Sequence, residues 1–497
     1  MLERTDASQR RLSVQAHWRH TAQRFLKGNI LAIAILVFSI VFALWQHSTG
    51  YSWDFSAYAV NARADGALFE WARPPLSSAI MFVLGGGSLM SEYLYIIFVS
   101  ILFFYSSLAL TKKYSISFVH YYALAMSFFT IINAFNVGTE LLSLALLQLM
   151  IAYVNDGRAG KRSSAFSGLF FGLSLLTRYT NIAFVALFIF QRNVKKIVLS
   201  LFIAFLVLAP WLAFNYTYMG DPFFSIAESY ALNIKYRTAI QPFNALDALL
   251  VMNFVLPLFV LGIVRFRKSL NRNNILMLVL FVLAIVFYIR TPVKEPRYML
   301  AVIIPGAYFA AMFLSQHKNK IIKSLLYAIV AINIAAVLVL LPTTQLGSPS
   351  PYLNFIDNEK SNIDCAIRSN AWVSLGYYGA PSGIYPWQDA LPNALENGYT
   401  VVLFKHNAEP AYLYNQSFVD KYKIVETPQY VILDDSALTP KGVGSPSNCK
   451  PADKRVEVSY LQTRAEGMFF ANGTIFDKRS CAIFVSSSFC DFIGWKR

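Results

Sequence analysis

Arg73-Pro74-Pro75-Leu76-Ser77-Ser78-Ala79-Ile80-Met81-Phe82-Val83-Leu84-Gly85-Gly86-Gly87 is the stretch on which the architecture turns. It is apolar enough to be taken for a membrane crossing. Counted as one, it would put every later basic cluster outside the cell, against the tendency of lysine and arginine to stay in the cytoplasm. Its ends argue the same way: paired prolines suit the first turn of a helix, and three glycines weaken a helix meant to continue. Leu76 to Met90 is therefore expected to be a re-entrant or interfacial helix.

The chain around it is built for a bilayer. Its 497 residues are 56% hydrophobic and 14% charged, with a mean hydropathy of +0.46, which excludes an ordinary soluble protein. The net charge of +16 does not call for nucleic acid, because the basic residues gather in short turns between apolar runs. Lys112-Lys113, Arg158/Lys161/Arg162, Arg192/Lys195/Lys196, Arg265/Arg267/Lys268/Arg272 and Lys318/Lys320/Lys323 are assigned to the cytoplasm on that ground. The first apolar run, Ile30 to Trp45, follows a basic tail and lacks a small-residue cleavage site, so it reads as a retained span.

The expected spans are 28–47, 92–111, 116–134, 140–154, 164–177, 180–191, 196–214, 247–264, 274–290, 298–315 and 321–341. They make about eleven crossings, several shorter than the ~20 residues a bilayer needs. The division is a basic tail 1–27, a membrane domain 28–341 with a long first loop 48–91, and a soluble domain 342–497 on the far side from the cytoplasmic N-terminus. That last region turns rich in Pro, Gly, Asn and Ser, and Thr400–Phe404 and Tyr430–Leu433 read as strands, giving a mixed α/β expectation. It holds all four cysteines (Cys365, Cys449, Cys481, Cys490) without metal-ligand spacing, so one or two disulfides of open connectivity are expected. The triplets at Asn215, Asn415 and Asn472 are compatible with glycosylation.

Charge in the outward loops is the functional signal. Asp54, in Tyr51-Ser-Trp-Asp-Phe-Ser-Ala-Tyr58, lies just beyond the first span; Glu140, in Asn136-Val-Gly-Thr-Glu140, opens a later one. Each also has a plainer reading, as a loop carboxylate or as an acid favoured at a helix N-terminus. Arg73, Arg178, Lys235, Arg237, Arg290, Lys294 and Arg297 recur in four segments that the positive-inside tendency should have emptied of such residues. Guanidinium groups bind phosphate oxygens bidentately, so the set suits an anionic headgroup. A local ion pair within Lys294-Glu295-Pro296-Arg297 is the plainer alternative there. Tyr216, Tyr218, Tyr230 and Tyr236 suit sugar stacking, with interfacial anchoring the commoner role. No nucleotide loop, HExxH, Cys/His cluster or GxSxG is present, so neither metal nor cofactor is expected.

The early Asp54, the Arg73-Pro74-Pro75-Leu76 opening, the acid Glu140 and the pair Arg297-Tyr298 together resemble the GT-C membrane glycosyltransferases, over roughly residues 25–345. The likeness is to the protein O-mannosyltransferase and lipid A aminoarabinose transferase type, which use a polyprenyl-phosphate sugar as donor. It implies a catalytic role for Asp54, with Glu140 standing where such enzymes usually have Asp. It implies phosphate contacts for Arg73, found where Lys is common, for Arg178 in Leu176-Thr177-Arg178, and for Arg297; Tyr58 and Tyr298 are substrate-binding candidates. Ala72 stands where some relatives carry a polar or acidic residue, which leaves acceptor preference open.

The reading that follows is an inverting transferase acting on the extracytoplasmic face, with the loop 215–246 closing over the donor headgroup. Its partners would be the lipid-linked donor, a lipid, glycan or protein acceptor, and membrane lipids. A transporter or flippase for a charged lipid or anionic solute is the rival. It would place charge near the bilayer midplane, whereas these residues fall at span ends. A structural protein that binds a partner through its C-terminal domain would leave the loop arginines idle.

Overall fold

The computed structural model describes residues 28–50, 52–63, 69–154, 161–230, 242–267, 271–291, 294–316, 320–363, 366–380, 382–396, 398–407 and 410–434. Helix α1 (Gly28–Ser48) leads into α2 (Trp53–Arg63), α3 (Leu76–Gly85) and α4 (Leu89–Tyr114). Then come α5 (Phe118–Ala125), α6 (Phe128–Asn133), α7 (Glu140–Val154), α8 (Lys161–Thr177), a 3-10 segment Tyr179–Gln191 and α9 (Val194–Met219). The membrane part ends with α10 (Phe224–Tyr230), α11 (Ala245–Met252), α12 (Val255–Phe266), α13 (Arg272–Arg290), a 3-10 turn Pro296–Val302, α14 (Ile303–Gln316) and α15 (Lys320–Leu340).

This is a multi-pass membrane protein. Among the described residues six helical stretches are long and apolar enough to cross, or seven if the bent pair α11 and α12 is one span. Each of the eleven expected runs is helical, but several fall short for local reasons. The run 116–134 is cut at Ser127, whose hydroxyl accepts the Thr130 N–H at 3.3 Å and starts α6 afresh. The run 247–264 breaks at Asn253, and α11 and α12 diverge by 91°. The stretch Leu76–Gly85 is a short apolar helix ended by a left-handed Gly86.

Helices pack closely where side chains are small. A Cβ on Gly168 of α8 would lie 2.2 Å from the Ser200 carbonyl oxygen of α9, so only glycine permits that approach. Gln148 of α7 is satisfied by neighbouring side chains: it accepts from Ser106 and Ser107 at 2.6 and 3.0 Å and donates to the Tyr121 hydroxyl at 3.0 Å.

Beyond α15 lies an α/β region. Among the described residues, helices α16 (Ser350–Asn358), α17 (Trp372–Tyr377), α18 (Leu391–Glu396) and α19 (Gln416–Val419) surround a five-stranded sheet. Its strands β1 (Ala366–Ser369), β2 (Ser382–Ile384), β3 (Tyr399–Phe404), β4 (Lys423–Glu426) and β5 (Tyr430–Leu433) lie in the order β2-β1-β3-β5-β4. β1 runs parallel to β2 and β3, while β5 is antiparallel to β3 and β4. Both expected strands are present. The four cysteines and Asn472 lie outside the described residues. Asn215 corrects an expectation: it is fully buried in α9 and donates to the Pro222 carbonyl at 3.3 Å, so it is closed to glycosylation. Asn415 stays exposed and caps α19.

Candidate active site

The first loop folds back on itself to aim Asp54 at Arg73. Asp54 occupies the first turn of α2, where the helix dipole favours an acid. Further along, Asn61 accepts the Glu70 N–H at 2.7 Å and donates to the Glu70 carbonyl at 3.1 Å. That reciprocal pair pins the turn in which the Arg73 N–H meets the Glu70 carbonyl at 3.1 Å. Pro74 and Pro75 then start α3, whose first turn is closed by the Ala79 N–H donating to the Pro75 carbonyl at 2.9 Å. Arg73 emerges with Nη2 at 2.5 Å from Asp54 Oδ1.

Two further segments converge on this pair. In the 3-10 turn Pro296–Val302, Arg297 points Nη2 to within 3.5 Å of Asp54 Oδ2, and its Nε pairs with Glu295 Oε2 at 2.5 Å. The local ion pair of Glu295 with Arg297 and the bridge to Asp54 thus coexist. Arg178 sits in an extended kink between α8 and the 3-10 segment, its N–H still bonded to the Ser174 carbonyl at 2.9 Å. Its Nη1 lies 3.7 Å from Glu140 Oε1. The Tyr298 ring lies near two guanidinium groups, 5.5 Å from Arg178 and 5.7 Å from Arg297.

Glu140 reaches the cluster because its loop is docked under α2. The Ser52 hydroxyl donates to the Asn136 carbonyl, and the Tyr95 hydroxyl donates to the Gly138 carbonyl while sitting 2.8 Å from Ser77. Gly138 has φ +89°, and a Cβ there would lie 2.9 Å from the Phe55 ring, so both conformation and space demand glycine. Phe55 follows Asp54, so this contact ties the two acidic loops together.

The electrostatics are those of a poised but partly unsatisfied site. Burial opposes the charge on Arg73, yet Asp54, Tyr58 and Glu70 hold its guanidinium above the ordinary arginine value. Burial pushes the Tyr58 phenol up as well, so Tyr58 is a neutral hydroxyl at any physiological pH. Arg73 Nε is buried without a hydrogen-bond partner, and so is Glu140 Oε1, which meets Arg178 only at ion-pair distance. Buried donors and acceptors left open are uncommon and costly unless something binds them.

Asp54, Tyr58, Arg73, Glu140, Arg178, Arg297 and Tyr298 therefore form one cluster. Arg290 is exposed at the end of α13. The Lys294 ammonium donates to the carbonyls of Tyr288, Ile289 and Thr291, capping α13. Lys235, Arg237 and Tyr236 lie outside the described residues. Tyr216 and Tyr218 are exposed on α9. Sequence reasoning overlooked the aromatic wall beside Arg73, where Trp71 stacks with Trp211 and Phe214 at 6.3 and 5.5 Å. Its only signal is Trp71 itself, two residues before Arg73.

Neither a protein-family model nor a curated protein sequence matches the chain. Solved structures do. The chain is similar to ArnT from Cupriavidus metallidurans in the apo state, at 12% identity and a TM-score of 0.59, over 82% of this chain and 99% of that one. The same protein bound to undecaprenyl phosphate gives 12% identity and a TM-score of 0.56, over 84% and 100%. The archaeal oligosaccharyltransferase AglB from Archaeoglobus fulgidus, in complex with an inhibitory peptide and a dolichol-phosphate, gives 10% and 0.52, over 82% and 75%. This is the GT-C fold. The likeness spans more than four fifths of the chain, more than residues 1–341 could supply, so it reaches into the C-terminal unit.

Proposed function

We propose that this protein transfers a sugar from a polyprenyl phosphate to an acceptor hydroxyl, with inversion, on the extracytoplasmic face. The observation that carries it is the meeting of Arg73 and Arg297 on opposite oxygens of Asp54, at 2.5 and 3.5 Å, from loops more than two hundred residues apart. Similarity to GT-C proteins solved with undecaprenyl phosphate and with dolichol-phosphate supports the donor class.

In this reading Asp54 takes the proton of the acceptor hydroxyl. The acceptor oxygen bonds to the anomeric carbon as the bond from that carbon to the phosphate oxygen breaks, and the polyprenyl phosphate leaves. The donor phosphodiester carries one negative charge, and the departing monoester approaches two near neutral pH. In this reading Arg73, Arg178 and Arg297 supply the cations that growing charge needs, a preorganised form of stabilisation. Glu140 holds Arg178 in place and is the second acid beside the acceptor. The arginine-bearing loops face the extracytoplasmic side, with the N-terminal tail and basic turns in the cytoplasm and the 342–497 domain outside.

The test is transfer from short-chain polyprenyl-phosphate sugars in detergent, comparing the parent with Asp54→Asn and Arg73→Ala after thermal unfolding shows all three folded. Transfer by the parent and loss in Asp54→Asn supports the assignment. Equal transfer by all three refutes the catalytic roles, and no binding of any polyprenyl phosphate refutes the donor class.

A further inference from the structure

A second cluster of charged side chains lies behind α2, and the chemistry above makes no use of it. Glu92, in the first turn of α4, is 0% exposed, and its Oε2 has two partners. His47 Nε2, from the end of α1, lies 2.6 Å away, and the Tyr377 hydroxyl, from α17 of the C-terminal unit, donates at 2.8 Å. Glu92 Oε1 has no hydrogen-bond partner, so the carboxylate depends on these two groups. The His47 ring lies 4.5 Å from the ring of Phe55, the residue after Asp54.

Helix α17 also holds α2 at both ends. At the start, Trp53 meets Trp372 edge-on at 6.3 Å, and Ala57 and Val60 continue the packing onto Trp372 and Val373. At the far end, Arg63 Nη1 donates to the carbonyls of Gly376 and Tyr377 at 3.2 and 2.7 Å, and its guanidinium stands 5.1 Å from the Tyr377 ring. Arg63 Nε reaches the Gly87 carbonyl at 3.2 Å, fastening the same end to the turn after α3.

We propose that α17 is a positioning element for the transfer reaction: through Tyr377–Glu92–His47 and through Arg63 it splints α2, and so sets the Asp54 carboxylate against Arg73 and Arg297. The proposal rests on the assignment of Asp54 as the base. A helix of eleven residues is marginal by itself, and α2 gains its order from what packs on it. A sub-ångström shift of a general base is expensive because proton transfer requires hydrogen-bond reach. The C-terminal unit thus acts on the chemistry without touching substrate.

The variants are Tyr377→Phe, which removes one hydroxyl and keeps the ring, and Arg63→Met beside Arg63→Lys. Expected for Tyr377→Phe and Arg63→Met is a fall in kcat of about tenfold, the size of a lost hydrogen bond to a charged group. KM for the donor stays within about twofold, because the arginines are untouched, and Arg63→Lys recovers part of the loss. Amide hydrogen exchange on the full chain should quicken in 53–63 and not in the sheet strands. Unchanged kcat with unchanged exchange overturns the proposal. A raised donor KM at constant kcat overturns it too, as does faster exchange throughout 366–433, which would make these residues ordinary supports of the C-terminal unit. If the parent transfers no sugar, the transferase reading fails alone, and the exchange arm still decides the splint: quickening confined to 53–63 upholds it, and no change overturns it.

Discussion

Replacing Asp54 by Asn separates a catalytic carboxylate from a structural one, because the two roles predict opposite changes in donor affinity. The carboxylate sits 2.5 Å from Arg73 and 3.5 Å from Arg297, so it competes with any phosphate for the same cations. A phosphate held by Arg73 would lie roughly 6 Å from the Asp54 charge, where like charges repel by about 2.8 kcal/mol at an effective dielectric of about 20. The Asp54 and Arg73 side chains are 22% and 24% exposed, and water cuts that figure to about 1.4 kcal/mol. Asp54→Asn should thus bind polyprenyl phosphate about tenfold more tightly. Loss of the proton acceptor should at the same time lower kcat by about 10²- to 10⁴-fold.

Calorimetric titration with a short-chain polyprenyl phosphate measures the first effect, and single-turnover transfer measures the second. Thermal unfolding supplies a control: the ligand should raise the melting temperature of Asp54→Asn more than that of the parent, since it replaces the anion Arg73 has lost. Weaker binding would refute the reasoning, for it would make Asp54 a scaffold that merely orients the arginines. Transfer within about threefold of the parent would refute the base assignment.

Three other outcomes follow from single contacts. Arg73→Ala should reduce kcat by about 10²-fold, the usual cost of one donor aimed at developing charge, as read in steady-state transfer at saturating donor. Gly138→Ala sets a methyl 2.9 Å from the Phe55 ring at a φ of +89°, and should destabilise the folded protein by about 1–3 kcal/mol, seen as a lower melting temperature. Burial holds the His406 imidazole below its ordinary value, next to the Tyr352 hydroxyl at 2.7 Å. The unfolded chain then takes up a proton near pH ~6.5 that the folded chain resists, so His406 leaves stability undiminished above that pH and lowers it as pH falls below. The melting temperature of the parent should drop more between pH 7 and pH 5 than that of His406→Gln.

How much of this was legible depends on the range over which each residue acts. Hydropathy and the Pro74-Pro75 and Gly85–Gly87 boundaries placed the helices and kept α3 short, since both are properties of consecutive residues. Asp54, Arg73, Arg178 and Arg297 stood out because charge at a span end is expensive wherever it occurs. Glu92 did not, although it is the most buried acid beside the site, because an acid in the first turn of a helix has a routine explanation. Its partners His47 and Tyr377 lie 45 and 285 residues away. Lys294 shows the converse: its charge was conspicuous, but backbone carbonyls at the end of α13 absorb it.

The arrangement of pairs carries a consequence that free arginines would not. In this cluster the carboxylates of Asp54, Glu140 and Glu295 face the guanidinium groups of Arg73, Arg178 and Arg297. If Asp54 accepts the acceptor proton, its charge disappears as the leaving phosphate gains one. Its grip on Arg73 and Arg297 then loosens at the moment those cations are wanted elsewhere. Deprotonation and leaving-group stabilisation become one event, carried by guanidinium groups that change partners without moving far. Residues that act as a unit give strongly non-additive variants. The double variant Asp54→Asn with Arg73→Ala should accordingly transfer sugar no more than about threefold more slowly than Asp54→Asn alone, although each single change costs about 10²-fold or more. Losses that multiply in the double variant would mean that the carboxylate and the arginine work independently, and the partner exchange would be wrong.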